Sequence, residues 1–571
     1  MISAPQVIRC RARVPAIAAA TLLLCASVFA QDQVQDETNT LTAVGSDEYL
    51  EDRGLDPAIL EEKNAVIGKV VIRSDNVFDL DNPLEDKLLY RWANALHVVT
   101  RPNVIRSQLL FTEGDRYSKR LTEESERLLR QNAYLNDVTI EPVAYENGIV
   151  DLSVHTKDVW TLTPNISAGR AGGENNLGIG VRENNLFGTG VLLGVKVKRN
   201  VDRDTATLDY SDRNFLGSRY RLTTRIGENS DGYDRRLLYA KPFFALDSRS
   251  SGGFSLQSEE RIDPLYERGE IISNFNHKLQ HHEAFGGWSK GLQNGWARRY
   301  FAGLVYDEHL FAETPDTIQP NLLVPPDREF LYPFFGFEVI QDRFEEGINF
   351  DQISRVEDRF LGTRFAFRLG YSSSSAGSNQ SAWHYSSGFS NALINNKRNS
   401  LVLGGNLNGR YAEGEAQNAL LSLGARYHRR LTEQQLLYVS LTGATGHNLD
   451  LDNQLLLGGD TGLRGYPLRY QGGDSKVLLT LEHRLFTKWY PFQLFNVGGA
   501  IFFDAGRTWG ENPVGGDNPN LGVLKDVGFG LRLGSNRSID GRILHIDLAF
   551  PLDGEESIDR VQLLIDAKSS F

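Results

Sequence analysis

The chain has 571 residues and a net charge of −12, with 55 Gly, 7 Trp, 21 Tyr, 30 Phe and only two Cys. Acid excess argues against nucleic acid as a partner, and both cysteines, Cys10 and Cys25, lie in a segment read below as removed, which excludes disulfides, thiolate metal sites and Cys nucleophiles. A chain that is 40% hydrophobic yet rich in Gly and aromatic residues suits alternating strands.

At the N-terminus, Arg9, Arg11 and Arg13 precede an uncharged apolar run over 14–29. This predicts a secretory signal peptide, 1–30, cut after Ala30, with Val28 and Ala30 supplying the small side chains before the cut. Leu24 is too large for the position before a lipidated Cys25. Loss of three arginines raises the net negative charge to 15. Beyond this segment no stretch reaches the roughly eighteen apolar residues of a membrane helix. Residues 31–62, with Asp32, Asp36, Glu37, Asp47, Glu48, Glu51 and Asp52, read as an acidic flexible lead-in.

A compact mixed domain follows over 63–158. Residues 66–72 read as a short strand, and 82–99 as mostly helical, with Asn82 as cap, Pro83 at the first helical position, and Leu88, Leu89, Trp92 and Leu96 at helical spacing. Residues 100–118 predict a helix closed by Gly114, then a new cap at Ser118. The next helix runs to Gln131, with Leu121, Leu128 and Leu129 as its core side and Lys119, Arg120, Glu123, Glu124 and Arg127 outside. Residues 138–144 and 149–154 form a hairpin around Asn147-Gly148.

In "VIRSQLLFTEGDRYS", "LTEESERLLRQNAYLNDV" and "VDLSVHTKD" this region resembles a polypeptide-transport-associated (POTRA) domain. The resemblance implies a periplasmic domain that binds extended clients by adding a strand to a sheet edge. A small spacer without a client is the plainer alternative.

From 159 to 571 the pattern becomes a series of alternating strands. Val191, Leu193, Val195 and Val197 share one parity, and Gly194, Lys196 and Lys198 the other. The same holds for Val527, Phe529, Leu531 and Leu533 against Gly528, Gly530 and Arg532, and for Leu544, Ile546, Leu548 and Phe550 against His545 and Asp547. One face suits lipid, the other a wet lumen. Open edges are intolerable in lipid, so an even-numbered closed antiparallel barrel is expected, with 16 to 20 strands. Two similar segments, Asn185-Leu-Phe-Gly188 and Asn214-Phe-Leu-Gly217, read as short periplasmic turns.

Near the C-terminus "LLLGGDTGLRGYPLRYQGG" precedes "KVLLTLEHRLF" and "GGAIFFDAGRTW". These segments are similar to the inward-folded loop and adjoining strands of the BamA and TamA superfamily, the bacterial surface antigens. The resemblance implies a loop tip at Arg464, Gly465 and Tyr466, held in the lumen by Asp504 and Glu482. Alternation also turns both acids inward, opposite Ile501 and Phe503, and opposite Leu479 and Leu481. A guanidinium presents a planar fork of donors, so it can pin the loop to a luminal carboxylate. Leu463 and Tyr466 depart from the commoner residues without touching this pairing. In "RVQLLIDAKSSF", Val561, Leu563, Ile565 and Phe571 share one parity, which places Phe571 on the lipid face as the aromatic signal that outer-membrane assembly machinery recognises.

No Gly-x-Ser-x-Gly elbow occurs, and His277, His281, His282 and Glu283 form the one His cluster. Strand positions four apart are separated by about 13 Å, too far to share a metal. No enzyme activity, cofactor or metal is expected. The resemblance implies a Gram-negative outer-membrane protein whose partners are membrane lipid, the assembly machinery, and an unfolded protein or lipid client captured by the POTRA domain for insertion or translocation. A passive channel or structural surface antigen with a plugged barrel is the alternative.

Overall fold

The computed structural model describes residues 55–511, 521–537, 542–556, 558–568 and 570–571. The expected signal peptide and the lead-in up to residue 54 lie outside them.

The N-terminal part is a three-stranded sheet covered by helices. Helix α1 (Pro57–Glu62) opens it, with the Asp56 carboxylate accepting from Ala58 N–H at 2.6 Å. Strand β1 (Val66–Asp75), helix α2 (Leu88–Leu96), helix α3 (Pro102–Arg106), helix α4 (Lys119–Arg130), β2 (Leu135–Glu146) and β3 (Ile149–Asp158) follow. β3 lies in the middle, parallel to β1 and antiparallel to β2. The β2–β3 hairpin turns at Asn147 and Gly148, both at positive φ, as a tight two-residue connection requires. Ile67, Ile105, Leu129, Leu135, Val138, Leu152 and Val154 fill the core.

Three expectations need correction here. The lead-in ends before 57, because Leu60 of α1 is fully buried in this core. The helix expected over 82–99 is confined to α2, since Asn82 caps a single turn through Leu84 N–H at 3.1 Å and Lys87 is extended. The helix expected over 100–118 stops at Arg106.

Only part of the charged side of α4 faces water: Lys119 and Glu123 are exposed, and the rest meets the barrel. Glu124 is buried and accepts from Leu246 N–H at 2.7 Å, Arg120 pairs with Asp247, and Arg130 reaches Asp358 at 2.7 Å and Glu346 at 2.5 Å. These partners belong to barrel turns, so α4 docks the domain onto the barrel.

The barrel has twenty strands among the described residues, from Leu162–Ala171 to Gln562–Lys568, paired antiparallel in chain order and closed. Apolar side chains of the outward parity, such as Ile179, Val195 and Phe529, remain exposed. The even count returns both ends of the barrel to one side, the side carrying the N-terminal domain. Leu186–Gly188 and Phe215–Gly217 are short turns on that side.

Two excursions leave the ladder. On the domain side a hairpin pairs Phe344–Ile348 with Val356–Phe360. On the far side Leu455–Leu457 pairs with Gln471–Gly473 at the foot of a loop that enters the barrel.

The closing seam is thin. Among the described residues it registers only Ile565 with Arg170, where every other neighbouring barrel pair registers seven residues or more.

Phe571 departs from its expected place on the lipid face. It is 3% exposed, turned into the domain-side mouth, and packs with Ile353, Leu436, Phe486 and Ile543. The last strand ends at Lys568, so parity no longer governs residue 571. Its backbone N–H donates to Asp351 O at 2.8 Å, under the 344–360 hairpin.

Candidate functional site: the luminal loop and its carboxylates

The loop over 458–470 is shaped by close backbone approaches. A Cβ on Gly458 would stand 2.4 Å from both Arg469 N and Pro467 O, and one on Gly465 would stand 2.7 Å from the Asp526 Cβ. Only glycine lets the tip lie this near the wall.

Arg464 is buried at the tip. Its Nε and Nη2 donate to the two oxygens of Asp504 at 2.7 and 3.0 Å, and Nη1 donates to Glu482 at 2.9 Å. Asp547 stands 3.6 Å away. The guanidinium also lies 3.4 Å over the Phe502 ring. Gly465 N–H donates to Asp526 at 3.0 Å. The fully buried Tyr466 hydroxyl stands 2.8 Å from Lys525 O and 3.0 Å from Asp553 O, within a cluster of Leu457, Leu463, Tyr470 and Leu524.

The five residues singled out in the sequence thus meet at one place. Asp526, Asp547, Phe502, Arg484 and Arg532 join them without having been singled out for it. Strand parity already turned Arg532 and Asp547 inward, but which luminal groups meet depends on register across several strands.

Charges continue in both directions. Arg484 Nε donates to Glu482 at 2.9 Å, and its Nη1 to Phe350 O at 2.8 Å, so the tip is linked to the domain-side hairpin. Arg532 pairs with Asp547. On the far side Arg469 grips Asp202 with two bonds of 2.8 and 2.9 Å, Arg410 grips Asp450 at 2.6 and 2.7 Å, and Arg328 reaches Asp452 at 2.8 Å. The loop is therefore tied to the wall at several points around the lumen.

His277 and His281 do not share a partner: His277 Nδ1 lies 2.7 Å from Asp263, and His281 Nδ1 lies 2.7 Å from Asp307. Among the described residues, His277, His309 and Asp452 bring one candidate ligand atom each within 4.8 Å of one another. His277 Nε2 and His309 Nδ1, however, stand 2.9 Å apart, as in an N–H···N hydrogen bond. Two nitrogens on a tetrahedral zinc would stand about 3.3 Å apart, given Zn–N lengths near 2.0–2.1 Å.

A closed barrel with lipid-facing aliphatic stripes, an α+β domain at one mouth and an arginine-tipped loop inside defines a β-barrel membrane protein with an internal plug. The Omp85 superfamily domain matches residues 185–565, well over half of the chain. The chain belongs to the Omp85 superfamily. It is a Gram-negative outer-membrane protein of the insertion or translocation class.

Solved structures are similar at a distance. BamA from Haemophilus ducreyi lacking POTRA domains 1–3 is 15% identical, over 87% of this chain and 84% of that one, with a TM-score of 0.38. CdiB from Acinetobacter baumannii is 15% identical, over 90% and 76%, with a TM-score of 0.41. CdiB from Escherichia coli is 13% identical, over 88% and 76%, with a TM-score of 0.47. No curated protein matches the chain.

Proposed function

We propose that this protein captures an unfolded or partly folded client on its N-terminal domain, in the periplasm, and helps it enter or cross the outer membrane at the seam of the barrel. The observation that carries the reading is the single registered pair, Ile565 with Arg170, between the last and first strands. Opening that seam breaks far fewer backbone bonds than parting any other neighbours, and backbone groups unsatisfied in lipid are costly. A client strand that supplies those bonds removes the cost. Beside the seam lies a cavity of about 1290 Å³, lined by Trp92, Trp160, Leu564, Ile565 and Phe571 among others.

On the domain, β2 is a sheet edge with a neighbour on one side only, which suits capture by strand addition. Arg464 acts as a lock that holds the loop in the lumen while the seam works. The C-terminal strand with Phe571 is the segment presented to the assembly machinery.

The test is a disulfide between Arg170→Cys and Ile565→Cys, which face each other across the seam. The oxidised protein should lose client insertion or translocation in cells and regain it on reduction. Full activity with the seam locked overturns the reading. Photocrosslinkers along β2 test capture separately.

A further inference from the structure

Three adjoining barrel strands and the root of the luminal loop bring a second cluster together, away from the Arg464 lock. His277 lies on strand Glu270–Gln293 and His309 on strand Trp296–Glu313, diagonal neighbours because His309 pairs with Leu279 and His277 with Phe311. Asp263 lies on strand Ser250–Glu267, and Asp452 in the segment between Gln435–His447 and Leu455–Leu457.

The proton positions in this cluster leave a place for a positive charge. Each histidine turns one nitrogen outward to a carboxylate: His277 Nδ1 stands 2.7 Å from Asp263, and His309 Nε2 stands 3.5 Å from Asp307. An ionised carboxylate only accepts, so both outer nitrogens carry the proton. The inner nitrogens, His277 Nε2 and His309 Nδ1, then point lone pairs at each other across 2.9 Å. Two lone pairs at that distance need a cation between them. Asp452 adds a third acceptor. One of its oxygens accepts from Arg328 at 2.8 Å, while Oδ1 is buried and, among the described residues, has no hydrogen-bond partner. A proton shared by the two rings satisfies the nitrogens but leaves that oxygen orphaned. A metal ion satisfies all three.

We infer that His277, His309 and Asp452 form a site for a divalent transition ion of the zinc class, which ties the root of the luminal loop to the barrel wall. One candidate ligand atom from each lies within 4.8 Å of the other two. Ligands on a tetrahedral zinc stand about 3.3 Å apart, so the nitrogens part by about 0.4 Å and Asp452 closes by at most about 1.5 Å. Asp452 sits in a turn outside the strand ladder, where such a shift breaks no strand pairing. Two imidazoles and one carboxylate suit zinc better than calcium or magnesium, which take oxygen ligands. Asp263 and Asp307 stand behind the rings and fix their tautomers, as carboxylates do behind zinc-bound histidines. Arg261 and Arg328 stay outside the triangle, paired with Asp263 and Asp452. A cavity of about 450 Å³ reaches His309 and Asp452, which gives an ion a way in and leaves room for water as a fourth ligand. Spacing along one strand brings no two of these histidines together; register across two strands does. The inference does not depend on client capture.

The chain without residues 1–30 has no cysteine to compete for the ion. Untagged protein is folded in detergent, heat-modifiable migration confirms folding, and metal bound after dialysis against zinc chloride is counted by mass spectrometry. One zinc per chain is expected. Asp452→Asn and His309→Gln should each weaken zinc binding at least tenfold, whereas His155→Gln, on the exposed face of β3, should leave it unchanged. Cobalt(II) in place of zinc should give the intense visible absorption of a four-coordinate site in the parent and lose it in Asp452→Asn. Zinc should also slow proteolysis from the far side within 448–457 severalfold, and a chelator should reverse this. Failure to retain one zinc per chain, or equal affinity in the parent and both cluster variants, overturns the site. One bound zinc without protection of 448–457 overturns the tie to the loop.

Discussion

Replacing Arg464 by Ala removes a guanidinium that makes two bonds to Asp504 and one to Glu482, all within 3.0 Å and away from water. Removing one partner of a buried ion pair costs about 3 to 5 kcal/mol. Of the carboxylates paired with Arg464, Glu482 keeps Arg484 at 2.9 Å and Asp547 keeps Arg532, so Asp504 is the one that loses its cation. That places the cost near the lower end, about 3 kcal/mol. At about 1.4 kcal/mol per tenfold, the population with an undocked loop rises roughly a hundredfold. Limited proteolysis from the far side should then cut within 458–470 at a correspondingly higher rate, and less protein should migrate as the heat-resistant folded form. Adding Asp504→Asn to Arg464→Ala should recover part of the loss, because it neutralises the orphaned charge. The order Arg464→Ala, then Asp504→Asn, then Glu482→Gln is expected for the size of the effect. Equal cleavage and equal gel migration in Arg464→Ala and parent would refute the lock.

Burial pushes the Glu126 carboxyl up to about 7, against the hydrogen bond from Ile140 N–H and the nearby Arg130, which lower it. A carboxyl raised in the folded state contributes stability at low pH that is lost as pH rises through the folded value; amide exchange at Ile140 should therefore quicken between about pH 5 and pH 8 beyond its intrinsic increase, and Glu126→Gln should flatten that excess. Phe571→Ala should lower the melting temperature of the inserted barrel, since emptying a buried Phe site costs about 3 to 5 kcal/mol, and an unchanged melting temperature would return the residue to a purely recognition role. Deleting 66–158 should leave a barrel that still inserts, because its backbone bonds close within itself, but that no longer serves its client in cells; full activity of the truncated protein would make the domain a spacer. Arg130→Ala should loosen the domain from the 344–360 hairpin, read as faster exchange in α4 with the barrel unaffected.

The barrel was legible because alternation is a local property: each outward Val or Leu and each inward Gly, Lys or Asp declares its face without reference to any other strand. Alternation alone allows 16 to 20 strands, and among the described residues twenty close the cylinder. What alternation cannot carry is register, so the meeting of Asp526, Asp547, Arg484 and Arg532 around Arg464 was out of reach. Docking misled in a similar way. The Lys, Arg and Glu side of α4 has the composition of a solvated helix, and only the barrel turns reveal that Glu124 and Arg130 are partnered. Phe571 was misplaced because parity was extended past the end of its strand, and α2 was drawn too long because Asn82 and Pro83 serve a single turn as well as they would serve a helix.

The inward turn of the C-terminus carries a consequence for the order of assembly. Phe571 packs beneath a hairpin from the middle of the chain and bonds to Asp351 in it. Any factor that grips the terminal aromatic ring must hold it outside that socket, so gripped and seated are mutually exclusive states of one side chain. Seating also needs Ile353, Leu436 and Phe486 already in place. Phe571 can therefore seat only in a nearly finished cylinder, and the free energy of burying its ring then opposes its withdrawal. On the proposed reading of Phe571 as the assembly signal, that signal is withdrawn once the ring is seated.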